Sequence, residues 1–127
     1  MIIDVFFILI VHWVADFIFQ DEEWATNKSS SLYCLLKHTL TYSLVFFAAA
    51  LIANDFKLYL CFLFFVCTFV LHTITDYFSS KVVAKKFKNK HYGSSVPNFG
   101  AFTIIGLDQL LHYVQLFVCW NLIFGYE

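Results

Sequence analysis

The sequence is poor in charged residues and in residues that break helices. Only 13% of its 127 residues are charged, and it has one Pro and four Gly. Soluble domains typically have about 25% charged and about 45–50% apolar residues, whereas 61% of this chain is hydrophobic and 21% is aromatic. A soluble domain is therefore excluded. A disordered chain is excluded as well, because such chains have little apolar surface. We predict an integral membrane protein.

Arginine is absent, because all eight basic residues are Lys, and the formal net charge is −1. Nucleic-acid binding typically needs a basic surface, and bases are most often read by bidentate Arg. We therefore predict no nucleic-acid partner. The four Cys stand singly in apolar runs, so neither a disulfide framework nor a thiolate zinc site is expected. These residues are Cys34, Cys61, Cys67 and Cys119.

Four apolar stretches are long enough to cross a bilayer, which takes about 20 mainly apolar residues per helix. We predict an all-α protein with a single transmembrane domain over residues 1–127, an integral membrane four-helix bundle. The predicted helices cover residues 2–20, 32–53, 56–78 and 99–124.

Lysines are unevenly distributed among the three connections. Five lie between residues 79 and 98, and Lys28 and Lys37 lie in or near the first connection, whereas Lys57 alone lies near the second. Because positive residues favour the cytoplasmic side, we predict that connections one and three are cytoplasmic and that both termini are on the outer side. Within the third connection, lysines at helical spacing favour either a basic helix on anionic headgroups or a solvated helix end.

Ionisable residues occur inside all four predicted spans. A charged side chain at a helix centre costs about 2.5–3.5 kcal/mol, so such residues are functional candidates. Three spans carry a His and an Asp four residues apart, and the order reverses in the last span, which runs in the opposite direction. We therefore expect a layer of carboxylates and a layer of imidazoles about 6 Å deeper, with His38 at similar depth. The three pairs are His12 with Asp16, His72 with Asp76, and Asp108 with His112.

Imidazoles and carboxylates from facing helices are the ligand types of zinc, manganese or iron sites. We predict one or two divalent ions. Two other interpretations stay open, a metal-free polar network between helices and a relay for protons or ions. The predicted metal ligands are His12, Asp16, His38, His72, Asp76, Asp108 and His112.

The motifs that hold these residues resemble the family called domain of unknown function 3307. The resemblance covers nearly the whole chain, and it implies a small multi-helix membrane protein of bacteria or their phages, in the inner (plasma) membrane, with no settled activity. The His and Asp pattern is more loosely similar to membrane-bound metal-dependent hydrolases. The motifs are His12-x-x-x-Asp16-Phe17-x-x-Gln20, Trp24-Ala25-x-Asn27-Lys28-Ser29, His38-x-x-x-Tyr42, His72-x-x-x-Asp76-Tyr77-x-x-x-Lys81 and Asp108-Gln109-x-x-His112.

The leading hypothesis is a membrane-embedded metal-dependent hydrolase that acts on a lipid or phosphoester headgroup at the cytoplasmic leaflet. Its partner would be membrane lipid, and a homo-oligomer stays open. The alternatives are a divalent-ion or proton carrier and a non-catalytic phage or host envelope modulator. The predicted catalytic residues are Asp16, Asp76 and Asp108, and the predicted substrate contacts are Gln20, Asn27, Lys28 and Lys81.

Overall fold

A computed structural model describes residues 2–93 and 99–125 of the chain, and within these ranges the protein is helical and has no strand. A π-helical turn, Val14–Ile18, directly follows the first α-helix. The predicted outward location of both termini concerns chain ends that lie outside the described residues. The α-helices are α1 (Ile2–Trp13), α2 (Glu22–Asn27), α3 (Leu32–Ala53), α4 (Leu58–Lys88) and α5 (Ala101–Phe124).

Within the described residues, three helices are long and apolar enough to cross a membrane, namely α3, α4 and α5. The prediction of four such helices is therefore wrong by this measure. The predicted first span, residues 2–20, is an α-helix of 12 residues followed by a π turn of five residues. This turn ends the helical segment at Ile18, because the backbone N–H of Phe19 bonds to the carbonyl of Val14, five residues back.

Helix α4 differs most from the prediction, since it runs from Leu58 to Lys88 instead of covering residues 56–78. It starts late because Asp55 and Phe56 adopt left-handed backbone angles, with φ of 48° and 58°. It continues through the basic segment that was predicted as a connection. At about 1.5 Å per residue, its 31 residues span about 46 Å, against about 30 Å of hydrocarbon. Helix α4 is therefore longer than a membrane crossing requires.

Helix α3 has the predicted bounds, and it begins where the Ser31 side chain accepts a hydrogen bond from the backbone N–H of Cys34. Helix α5 begins at Ala101, after Gly100, instead of at residue 99. Helix α2 lies within the first predicted connection and was not expected as a helix. Its N-cap is Asp21, whose carboxylate accepts the backbone N–H groups of the two residues at the helix start.

Helices α3 and α4, and α4 and α5, pack against each other, and α1 packs against α3 and α5. The bundle has a half whose buried core is apolar, where the N-terminal parts of α1 and α4 meet the C-terminal parts of α3 and α5. Aromatic rings fill it, since the Phe46 and Phe64 ring centroids lie 6.0 Å apart and those of Phe64 and Trp120 lie 5.4 Å apart. The other half contains the polar residues.

Candidate functional site

The polar half of the bundle buries seven ionisable side chains contributed by α1, the π turn, α3, α4 and α5. Each of these residues is 8% exposed or less. The cluster comprises His12, Asp16, His38, His72, Asp76, Asp108 and His112. The structure thus brings the seven predicted ligand residues into one region, although they take different partners within it.

The π turn carries Asp16 into the cluster. Single π turns inside helices are rare and are frequent at functional sites. Here the turn buries Ala15 and Asp16 while leaving Phe17 and Ile18 exposed. Although Asp16 follows His12 by four residues, their nearest polar atoms are 4.0 Å apart, so the two do not form a close pair. Asp16 instead turns towards α3 and α4.

His38 of α3 lies at the centre of the cluster. Its Nε2 atom is 3.2 Å from Asp16 Oδ1, 3.2 Å from Asp76 Oδ2 and 3.3 Å from His72 Nε2. A ring nitrogen carries at most one proton, so it can donate to only one of these three atoms. Two carboxylate oxygens and a second imidazole surround this one nitrogen. The centre of the cluster therefore has more hydrogen-bond acceptors than donated protons.

Asp76 links the remaining imidazoles. Its Oδ2 atom lies 3.4 Å from His72 Nε2, and its Oδ1 atom lies 3.3 Å from His112 Nε2. The rings of His72 and His112 stack with centroids 4.1 Å apart. On the other face of His72, Tyr42 stacks at 3.8 Å. Ring packing therefore fixes the orientation of these imidazoles.

Two groups of three residues could each hold a metal ion, since their ligand atoms lie within 4.8 Å of one another. Zinc–ligand distances of about 2.0–2.2 Å place the ligand atoms of a tetrahedral site about 3.4 Å apart. The separations in the first group, 3.2, 3.3 and 3.9 Å, lie on either side of that value, and the two shorter ones also suit hydrogen bonds. The groups are Asp16, His38 and His72, and His72, Asp76 and His112.

Three buried atoms of the first group lack a hydrogen bond among the described residues, namely Asp16 Oδ1 and the Nδ1 atoms of His38 and His72. Among the described residues, Asp16 Oδ1 is buried and accepts no hydrogen bond, although His38 Nε2 is 3.2 Å away. A buried carboxylate oxygen without a donor is costly, and a cation between Asp16, His38 and His72 would satisfy it. The donor set therefore fits a metal ion in ligand type, spacing and unmet demand.

Lys28 contributes a positive charge from the loop after α2. Its Nζ atom donates to Asp76 Oδ2 at 2.7 Å and lies 3.4 Å from His38 Nε2. Burial lowers the pKa of Lys28, but Asp76 and Asp16 outweigh that effect and raise the pKa above its ordinary value, so this ammonium is charged at neutral pH. Lys28 was predicted as a substrate contact, and in the structure its ammonium pairs with the buried cluster.

His12 lies in a separate network. Its Nδ1 atom is 2.7 Å from the Tyr42 hydroxyl, and its Nε2 atom is 2.8 Å from Gln109 Oε1. Gln109 Nε2 donates to Asp16 Oδ2 and Asp108 Oδ2, so its Oε1 must accept from His12 Nε2, and Tyr42 donates to Nδ1. Both ring nitrogens of His12 are thus engaged, and His12 belongs to neither group of three.

Tyr42 and Gln109 were not among the predicted site residues. Tyr42 follows His38 by four residues on one helix face, and Gln109 is adjacent to Asp108. Their spacing from predicted site residues was therefore the signal that could have identified them. Packing is the commoner role for a Tyr on such a face, and a neutral amide carries no insertion penalty of the kind that singles out charged residues.

Asp108 also lies outside both groups of three. It accepts a hydrogen bond from the Ser79 hydroxyl, and its Oδ1 atom is 3.4 Å from His112 Nε2. With 8% of its surface exposed, it is the least buried of the seven residues. Asp108 therefore lies between the candidate metal ligands and the space beside them.

That space is a cavity of about 440 Å³ between the π turn, α2, α4 and α5. Its polar wall includes Asp16, Lys28, Asp108 and Gln109, which belong to or adjoin the cluster. The cavity is also lined by apolar residues of the π turn, α2, the C-terminal third of α4 and the start of α5. The apolar residues are Phe17, Ala25, Val83, Ala84, Phe87 and Ile105.

The other predicted substrate contacts are dispersed. Gln20 lines the cavity of about 440 Å³. Asn27 is exposed, and its amide donates to the carbonyl of Glu23, so it caps α2. The Lys81 ammonium lies 3.3 Å from the centroid of the Tyr77 ring and lines a smaller, separate cavity. Within the described structure, only Gln20 and Lys28 of the four line the cavity beside the cluster.

Comparison with known proteins found neither a curated protein nor a solved structure that matches this chain. A family match does exist, and it extends over residues 5–127, which include every residue of the cluster. The chain therefore belongs to the family described as protein of unknown function (DUF3307).

Proposed function

We propose that this protein is a membrane-embedded metal-dependent hydrolase that acts on a lipid phosphoester headgroup at the cytoplasmic leaflet. One observation carries the proposal: buried imidazoles and carboxylates with metal-ligand spacing adjoin a cavity of about 440 Å³ that is also lined by apolar residues. The C-terminal third of α4 lines this cavity, and its lysines favour a location at the cytoplasmic headgroups. A substrate anchored in the leaflet could reach it without leaving the membrane.

The residues that would hold zinc, manganese or iron are the two groups of three that share His72. Because the Nε2 atom of His72 has one lone pair and faces both groups, it would ligate one ion only, so we propose one ion in either group, and a second ion would need ligands other than this nitrogen. When bound, such a metal lowers the pKa of a water molecule to about 7 and polarises a phosphoryl oxygen. Asp16 Oδ1, which accepts no hydrogen bond among the described residues, would gain a partner.

Asp108 is the candidate general base. It lines the cavity, is outside both groups of three, and is held by Ser79 and by the Gln109 amide. A carboxylate in this position can take a proton from an attacking water while the ligand residues keep their own partners. Gln109 also contacts Asp16, so it holds the two carboxylates in a fixed relation. Gln109 is thus a positioning residue in this scheme.

Lys28 is the candidate contact for the substrate phosphate. Its side chain is 21% exposed and lines the cavity, while its ammonium rests on Asp76. An ammonium that pairs with a carboxylate can also attract a phosphate oxygen on its open side. Gln20, on the same cavity wall, offers an amide donor.

We place the protein in the inner membrane of a bacterium, with α1 and the π turn as a fourth, shorter membrane segment. The Lys-rich end of α4 would be cytoplasmic by the positive-inside rule, which sends both termini outwards. The buried rings of Phe46, Phe64 and Trp120 fill the other half of the bundle, and this favours a site that opens on one side over a carrier that opens on both. Membrane lipid is the proposed partner, and a second copy of the chain stays open.

Metal content is the first test. Protein purified in detergent and supplied with zinc, manganese or iron should retain about one or two ions per chain in elemental analysis. Replacing His72 with Ala should remove them, since His72 belongs to both groups. His91, in the loop after α4, offers a matched control because His91→Ala removes an imidazole far along the chain from the cluster. Metal-free wild type after supplementation would favour the metal-free polar network.

Activity is the second test. Headgroup release across a panel of phospholipids should require metal, stop with chelator, and fall by about 10²-fold or more in Asp108→Asn, which keeps shape but removes the base. Asp55→Asn, in the turn between α3 and α4, is the control carboxylate. Equal background release in all conditions would overturn the hydrolase. If metal-driven ion flux in liposomes accompanied it, the carrier would take its place.

A further inference from the structure

Ser80 is an unexplained polar residue in the cavity of about 440 Å³. It is 9% exposed, it lines this cavity, and among the described residues its Oγ atom has no hydrogen-bond partner. Its neighbour Ser79 already donates to Asp108. A hydroxyl on a helix usually bonds to a carbonyl one turn back, as Thr68 and Thr73 of α4 do. Ser80 instead has a buried hydroxyl in the lining of this cavity whose hydrogen-bonding capacity is unmet among the described residues.

The wall beside Ser80 has the opposite character. The next turn of α4 contributes Val83, Ala84 and Phe87 to the same cavity, and Phe17 faces it from the π turn. Phe17 is 50% exposed and Phe87 is 41% exposed. A cavity for a soluble phosphate would gain nothing from this apolar wall, whereas a glycerol backbone and the first methylenes of acyl chains would pack against it.

We infer that this cavity is the headgroup pocket for a phosphorylated lipid, with the phosphate between Lys28 and the Ser80 hydroxyl and the acyl chains along the apolar wall of α4. The inference rests on the proposed function, because it names the substrate class of that site. Both donors suit phosphate oxygens, since an ammonium and a hydroxyl each form a charge-assisted hydrogen bond to an ionised phosphate. The carboxylates of Asp16 and Asp108 line the same cavity, so they disfavour a second anionic group in the ligand.

Binding can be measured without turnover. We would purify the protein in a maltoside detergent, which contains no phosphate, and quantify retained ligand by native mass spectrometry. The three probes are a short-chain phosphatidic acid, the diacylglycerol with the same chains, and glycerol phosphate. Phosphatidic acid should bind at least tenfold more tightly than either fragment. Equal binding of the diacylglycerol would overturn the phosphate contact, and equal binding of glycerol phosphate would overturn the lipid as ligand.

Three variants test the location. Ser80→Ala should weaken phosphatidic acid roughly five- to tenfold, the value of one hydrogen bond, and should not change diacylglycerol binding. Ala84→Trp should fill the cavity and abolish binding. Val82→Trp adds the same ring to an exposed position of α4 that does not line the cavity, so it should bind like wild type. Circular dichroism would verify that each variant is folded, and unchanged lipid binding in Ala84→Trp would overturn the pocket.

Metal content, measured on the same samples, separates this inference from the proposed function. Lipid binding by metal-free protein would leave the pocket standing and overturn the hydrolase. If the protein retained metal but bound none of the three probes, the lipid pocket would be overturned and the metal site would stand.

Discussion

The two halves of the bundle use the same helices but are held together differently. In the apolar half, Phe46, Phe64 and Trp120 pack through ring contacts and are 8% exposed or less. In the polar half, the same helices meet through imidazoles, carboxylates and the Lys28 ammonium. Because ring contacts join these helices in the apolar half, we expect that assembly does not depend on the ionisable residues of the other half alone.

The energies support this conclusion. Interhelical hydrogen bonds in membranes contribute about 0.6 kcal/mol on average, whereas one charged residue at a helix centre costs about 2.5–3.5 kcal/mol on insertion. A polar half that only joined the helices would therefore gain less free energy from its hydrogen bonds than its charged residues cost on insertion. A chemical role for the cluster accounts for the cost, although buried charges by themselves do not establish one.

The strongest challenge to this comparison is Asp76→Asn. The change leaves Lys28 and three imidazoles facing a neutral amide, where they now face a carboxylate. We expect a loss of about 3–5 kcal/mol in unfolding free energy, the usual result of breaking a buried ion pair, together with loss of metal. Membrane insertion should survive, because the helix becomes less charged. Unfolding with SDS in mixed micelles, followed by circular dichroism, measures the change.

A double variant gives the control for Asp76→Asn. Lys28→Met removes the ammonium, so the combined Lys28→Met and Asp76→Asn protein should recover part of the lost stability. Simple addition of the two single effects would mean that Lys28 and Asp76 do not interact, contrary to their 2.7 Å contact.

The apolar half is tested by Phe64→Ala, for which we expect a smaller loss, about 2 kcal/mol. Truncation of a Phe in soluble cores costs about 3–5 kcal/mol, and the cost should be lower here because lipid, not water, surrounds the helices. Metal content should remain that of wild type, since Phe64 contacts Phe46, Trp120 and Phe124 and no residue of the cluster through its ring. Loss of metal in this variant would show that the halves are not separable.

Much of this architecture was predictable from spacing. Helix α3 was predicted with its observed bounds, because its 22 residues are mainly apolar and lie between two polar segments. The pairing of a His with an Asp four residues away, reversed in α5, predicted that these residues share a depth. That reasoning needs only helical periodicity and chain direction, both of which are properties of the sequence.

Other features depend on contacts between distant segments, which periodicity cannot supply. The π turn at Val14–Ile18 has no composition signal, yet it decides that Asp16 approaches His38 and not His12. The sequence predicts that Lys28 lies in a connection, and the packing of α2 against α3 brings its ammonium to Asp76. The helical spacing of the lysines had indicated a helix in the segment that extends α4 to Lys88, but hydropathy did not join it to the membrane span because this last third is basic.

The smallest expected effect comes from Tyr42→Phe, at the boundary between the two halves. Tyr42 packs its ring against Phe46 on one side and His72 on the other, and its hydroxyl pairs with His12 Nδ1. Because Phe keeps the ring, only that hydrogen bond is lost, at about 1 kcal/mol. Metal content should not change, since His12 lies in neither group of candidate ligands. Elemental analysis and SDS unfolding would measure both quantities, with His72→Ala as the variant that must lose metal. Release of the metal by Tyr42→Phe would contradict this prediction and would indicate that His12 contributes to metal binding. The polar half would then extend closer to Phe46.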